Sequence, residues 1–174
     1  MKWITAQQTA RGPTLSVEKR VSREIFEPCG RSTIGLISIF GAARQGKSFL
    51  MNCLAGETDL FRISNERESC TQGIDVSTHL LDLSQFAAGG AKGVTTSSSL
   101  KKFPAMKVGF VDAEGQGDKD MSYDANLVCP ILLASKCVIF NWKDSLQKDR
   151  ILQVYSTPAP LNTNYYPLIS LSSM

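Results

Sequence analysis

Between an apolar run and an amphipathic stretch lies the octapeptide Gly41-Ala42-Ala43-Arg44-Gln45-Gly46-Lys47-Ser48, which fits the spacing G-x-x-x-x-G-K-[ST]. Ahead of it, Ile34-Gly35-Leu36-Ile37-Ser38-Ile39-Phe40 is nearly all apolar, the pattern of a strand buried on both faces of a parallel sheet. Behind it, Lys47 to Ala55 carries Phe49, Leu50, Cys53 and Leu54 at helical spacing, with Gly56 as a stop. Strand, glycine-bounded loop and helix in that order suit one chemistry. The glycines let the backbone curl until successive N–H groups face one point, and the helix start adds the positive end of its dipole. A phosphate group is the ligand for such a cradle. Lys47 would reach the β- and γ-phosphates, and the Ser48 hydroxyl would ligate Mg²⁺.

Two further pieces follow in a fitting order. Val108-Gly109-Phe110-Val111-Asp112-Ala113-Glu114-Gly115 reads as a buried strand ending in an acid and then a glycine. Asp112 at the strand tip would hold Mg²⁺ through its water shell, and Gly115 would offer its N–H to a γ-phosphate. Between these motifs, Ser69-Cys70-Thr71-Gln72-Gly73 places a threonine where a switch loop can touch metal and γ-phosphate together. The expected metal set is therefore Ser48, Thr71 and Asp112.

Elsewhere, Ile74 to Leu83 predicts a strand, Ala87 to Leu100 a low-complexity hairpin tip, Tyr123 to Ala134 a helix, Cys137 to Phe140 a fourth strand and Ser145 to Val154 a further helix. The alternation gives an α/β fold, a three-layer P-loop nucleotide-triphosphatase sheet flanked by helices. With four strands counted where five or six are usual, the expectation is a domain truncated after its fourth strand. Residues 1–30 have no assignable role, 31–155 form the partial domain, and 156–174 read as an atypical, disordered tail.

Composition narrows the class. The net charge is +3 with the basic residues scattered, which gives no nucleic-acid footprint. The five cysteines (Cys29, Cys53, Cys70, Cys129, Cys137) contain no C-x-x-C pair. With no secretory signal and no membrane segment legible, they predict reduced thiols and a cytoplasmic protein.

Taken together, the Gly41–Ser48 loop continuing as Phe49-Leu50-Met51-Asn52-Cys53-Leu54-Ala55-Gly56, then Cys70-Thr71-Gln72-Gly73-Ile74, then Asp112-Ala113-Glu114-Gly115-Gln116-Gly117-Asp118, resemble the guanylate-binding protein family of dynamin-like large GTPases. Ile131-Leu132-Leu133-Ala134-Ser135 and Val138-Ile139-Phe140-Asn141 extend the resemblance, which runs from Ile34 to Val154. It implies a GTPase that binds GTP and GDP with Mg²⁺ and forms a nucleotide-dependent homodimer. Its nucleotide contacts would be the whole phosphate loop with Phe49, joined by Thr71, Asp112 and Gly115. Its catalytic residues would be Arg44, as an arginine finger in cis, with Ser69 and Glu114 placing the attacking water. On the residues alone Arg44 reads equally as a finger or as a solvated loop side chain.

Three features depart from the family. Ala113 replaces the usual threonine, Pro130 falls inside a helix, and the Arg-Asp pair by which the family reads guanine does not occur. Asn141-Trp142-Lys143-Asp144 has its lysine misplaced for a base reader, and Asp149-Arg150 is a reversed pair on a helix face. Beside the GTPase stand two rivals: a non-catalytic nucleotide-binding or interaction module, and an inactive fragment.

Overall fold

The computed structural model describes residues 1–10, 12–63, 71–87, 106–117, 121–141 and 169–170. Its centre is β3 (Thr33–Gly41), which pairs in parallel with β6 (Met106–Ala113) on one side and β7 (Cys137–Asn141) on the other. The register sets Ile39 opposite Asp112 and Gly41 opposite Asn141. All three strands therefore end together, and their carboxyl ends form the rim on which an α/β sheet builds its site.

Alternation along β3 and β6 supplies two cores. Ile39, Val108 and Phe110 face α2 (Lys47–Ala55), where Met51 and Ala55 meet them with Phe61 from the following loop. Leu36, Phe40, Val111 and Ala113 face the other way, onto Tyr123, Leu127, Val128 and Ile131 of α4 (Met121–Ala134). The result is the expected three-layer α/β arrangement of a P-loop protein. The helix runs through Pro130, with Cys129 and Pro130 half-buried on its flank.

Helix α2 spans the residues that the sequence predicts, but it turns a different face to the sheet. Lys47, Met51 and Ala55 are buried, one helical turn apart, together with Asn52. Phe49 is 60% exposed and Leu54 37%. The phase is set at the helix start, because Lys47 must look back into the loop, and four-residue steps from Lys47 then point inward. The Asn52 side chain donates to the carbonyls of Thr58 and Phe61 and accepts from the Phe61 N–H, which staples the next loop to the helix.

The sheet is wider than the four strands expected. The first residues form a hairpin, β1 (Lys2–Thr9) with β2 (Gly12–Val17), and β1 joins the sheet against β4 (Ile74–Val76). A helical stretch follows the hairpin: one turn, α1 (Lys19–Val21), then a π-type run Ser22–Phe26 and a 3-10 turn Glu27–Cys29. Val21 and Ile25 carry it into the core, and Trp3 meets Phe26 edge to face. The single strand predicted over Ile74 to Leu83 is two, β4 and β5 (Leu81–Asp82), both antiparallel to β6. Ser77 breaks it: its Oγ accepts the Phe110 N–H that a strand carbonyl would otherwise take. A short helix, α3 (Leu83–Ala87), follows, and β8 (Ile169–Ser170) extends the far edge beside β7. The order is β2-β1-β4-β6-β3-β7-β8, with β5 also on β6. The predicted hairpin tip beyond Ala87 and the helix Ser145 to Val154 lie outside the described residues.

Candidate functional site

The phosphate loop leaves β3 at Gly41, whose φ of +144° few side chains tolerate. A Cβ there would also lie 1.9 Å from the Asn141 carbonyl oxygen. Asn141 in turn donates through Nδ2 to the Gln45 carbonyl at 2.6 Å. The neighbouring strand thus braces the loop through Asn141, a role outside any base-reading motif. On its other side the loop is bound to the segment after β6: the Ala43 N–H donates to the Gln116 carbonyl at 3.0 Å, and the Gln116 N–H to the Gly41 carbonyl at 2.9 Å. Gly115 makes that approach possible, since a Cβ on it would lie 2.3 Å from the Ala43 Cα.

Within this frame Lys47 is 6% exposed, and its Nζ donates to the Ala42 carbonyl at 2.8 Å. The ammonium therefore bends back over its own loop, placed where a phosphate in the cradle would meet it. Arg44 differs in both respects. It is exposed, pairs with no carboxylate among the described residues, and sits at φ +62°, the one non-glycine positive φ among them. A left-handed arginine is strained by about 1–3 kcal/mol, a cost that clusters at functional sites.

Ser48, Thr71 and Asp112, far apart in the chain, converge on one oxygen. The Ser48 Oγ donates to Asp112 Oδ2 at 2.7 Å, and the Thr71 Oγ1 donates to the same atom at 2.9 Å. Asp112 is fully buried, and its other oxygen, Oδ1, has no hydrogen-bond partner. Burial pushes its carboxyl above the usual range, while the two hydroxyls and the Lys47 charge pull it back. A buried carboxylate with an orphan oxygen and two hydroxyls beside it is a hard, all-oxygen donor set of the kind Mg²⁺ takes. Among the described residues no cluster of three or more His, Cys, Asp or Glu could hold a metal by itself.

Glu114 sits behind this group, 5% exposed. Its Oε2 accepts the Gly73 N–H and the Tyr123 hydroxyl, both at 2.7 Å. Tyr123 carries no motif, and in sequence it reads as one more apolar member of a helix. Burial and its bond to Glu114 raise its phenol well above the ordinary value, so it remains a donor.

Of the residues expected from sequence, the loop, Lys47, Ser48, Thr71, Asp112, Glu114 and Gly115 come together. Phe49 points largely to solvent, and Ser69 lies outside the described residues. No helix among the described residues is long and apolar enough to cross a membrane. Among curated proteins nothing matches the chain. The family model for the guanylate-binding protein N-terminal domain matches residues 14–158 of the 174. Agreement over that much of the chain reaches past the fold to the family itself: this chain belongs to the guanylate-binding proteins and carries their N-terminal, GTP-binding domain.

Proposed function

We propose that this domain hydrolyses GTP to GDP and phosphate with bound Mg²⁺, using Arg44 as an arginine finger supplied in cis. The observation that carries the reading is Asp112, a buried carboxylate with Ser48 and Thr71 on one oxygen and nothing on the other. Such an arrangement is costly in a merely structural role and useful beside a metal. Ser48 and Thr71 would hold Mg²⁺ directly and Asp112 through water. When bound, the ion would supply positive charge to offset the negative charge that develops on the transferring phosphate.

The chain's own residues would do the rest. The N–H groups of Gly41 to Ser48 bind the phosphates, Lys47 swings from the Ala42 carbonyl to phosphate oxygen, and the Gly115 N–H fixes the γ-phosphate. Glu114, with Ser69, orients the attacking water. The water oxygen bonds to the γ-phosphorus as the bond to the β–γ bridging oxygen breaks. That oxygen leaves with GDP and keeps the electron pair, and the water protons pass to the released phosphate and solvent. Arg44 starts exposed, so it can turn inward and neutralise the leaving charge, a role worth roughly 10³ to 10⁵ in rate. Homodimerisation across the nucleotide faces would drive that turn, in a cytoplasmic protein.

Lys47→Ala tests the reading at its base. Calorimetry with Mg²⁺ and a non-hydrolysable GTP analogue should show sharply weaker binding than wild type, whose release of phosphate from GTP is measured in parallel. Equal affinity for the two proteins refutes the loop assignment, and binding without phosphate release leaves a nucleotide-binding module.

A further inference from the structure

Three segments of the chain meet at one oxygen atom close to the Ser48, Thr71 and Asp112 group. Glu114 Oε2 takes the Gly73 N–H, two residues past Thr71, and the hydroxyl of Tyr123 at the start of α4. The Glu114 N–H returns the contact by donating to the Gly73 carbonyl at 2.8 Å. Gly73 has no room to retreat. Its φ is +72°, and a Cβ on it would lie 2.2 Å from the Ile4 carbonyl oxygen, so β1 backs it directly. The turn carrying Thr71 is thus held between the hairpin and the Glu114 carboxylate.

Tyr123 adds something that this geometry does not need for packing alone. It is 4% exposed and packs with Leu127, Val128 and Ile131, where a phenylalanine would fill the same volume. Burying a hydroxyl costs stability unless it is bonded, and this one is bonded to a carboxylate, the stronger kind of partner. Two donors on Oε2 fix the rotation of the carboxylate group. Both hydrogen-bond partners of the carboxylate sit on Oε2, and among the described residues no hydrogen bond reaches Oε1.

We propose that Tyr123 is a positioning residue for hydrolysis: its hydroxyl, with the Gly73 N–H, locks Glu114 Oε2 so that Oε1 presents to the attacking water, and so that the Thr71 turn and α4 move with the carboxylate. This rests on the hydrolase reading above and extends it to a residue outside every motif. The proton that Tyr123 donates is not transferred. Its phenol stays protonated because burial and the adjacent carboxylate both oppose ionisation.

The test uses the full chain and Tyr123→Phe, which removes one oxygen and leaves the ring. Affinity for Mg²⁺ with a non-hydrolysable GTP analogue should stay within about 2-fold of wild type, because Tyr123 touches neither ligand. Single-turnover hydrolysis should fall roughly 10- to 100-fold, the usual loss when the support of an active group is removed. Hydrogen exchange at the Gly73 amide should speed up severalfold. In the background of Glu114→Ala, Tyr123→Phe should cause no further loss of rate, since a residue acting only through Glu114 has nothing left to act on. Additive losses mean a general structural role and overturn the proposal, as does unaltered Gly73 exchange. Glu114→Gln covers the case in which Tyr123→Phe folds poorly. Its amide oxygen can accept the same two bonds, so Gly73 must stay protected, and loss of protection there also counts against the lock. A wild type that binds nucleotide without turnover sinks the hydrolase reading and the positioning role together, whereas the exchange measurement judges the lock by itself.

Discussion

Gly115→Ala should uncouple the phosphate loop from the tip of β6. Gly115 does not lie at positive φ, so alanine is acceptable to its backbone, and an open site would gain about 0.4–1 kcal/mol from reduced unfolded-state freedom. The site is not open. The new Cβ would stand 2.3 Å from the Ala43 Cα and 2.6 Å from the Ala43 Cβ, both on the phosphate loop, where carbon atoms settle at about 3.5–4 Å. The two segments must part by roughly 1 Å or more. That stretches the Ala43-to-Gln116 and Gln116-to-Gly41 bonds, now 3.0 and 2.9 Å, past useful length. Two such bonds at about 0.5–1.5 kcal/mol each, with overpacking at about 1–3, give a loss of roughly 2–6 kcal/mol. For a chain of this size, that lowers the melting temperature by about 4–24 °C. A loop displaced by 1 Å should also cost about 10²-fold in turnover. Gly117→Ala is the control: its φ of +95° strains any side chain, but no atom lies within 4 Å of its Cβ, so the loop stays in place. Calorimetric melting and single-turnover hydrolysis of both variants check the reasoning. A Gly115→Ala protein with wild-type melting and turnover would refute it.

Asp112→Asn should stabilise the metal-free protein at neutral pH by about 1 kcal/mol or more while removing the Mg²⁺ dependence of nucleotide binding, because it deletes a buried charge with an orphan oxygen. The sign in pH follows. The folded pKa of Asp112 lies above the ordinary 3.8, so in metal-free wild type its contribution is fully present below that value and fades as pH rises through the folded pKa. Denaturant melts at several pH values should show this slope flattened in Asp112→Asn. Arg44→Ala should lower kcat by about 10³-fold or more with nucleotide affinity little changed, and Arg44→Lys should recover little, because an ammonium cannot offer two parallel donors. Single-turnover rates and their dependence on protein concentration check both. Asn52→Ala should cost about 2–4 kcal/mol in a urea melt, since it leaves the buried Phe61 N–H and two carbonyls without their partner.

The phosphate loop was legible before any fold was known, because its chemistry is local. Glycine positions, a lysine and a serine within eight residues dictate a backbone shape, and the flanking run and amphipathic stretch fix its setting. Asp112 at the end of an apolar run and Thr71 ahead of a strand were legible by their order for the same reason. What sequence could not supply was anything that depends on register between strands. The meeting of Thr71, Ser48 and Asp112 on a single oxygen exists because β3 and β6 end level, with Ile39 beside Asp112. The apolar residues of α2 do not mark its inner face, since the constraint is Lys47 at its start and not the position of Phe49 and Leu54. The N-terminal hairpin has no periodic signature, because Lys2 to Thr9 mixes polar and apolar residues without strict alternation, and it is β4 that gives β1 an edge to join. The roles of Tyr123 and Asn141 have no sequence signal, although Asn141 lies within the family resemblance. Each acts through an atom supplied by a remote segment, Glu114 in one case and Gln45 in the other, and only the folded sheet brings those atoms within reach.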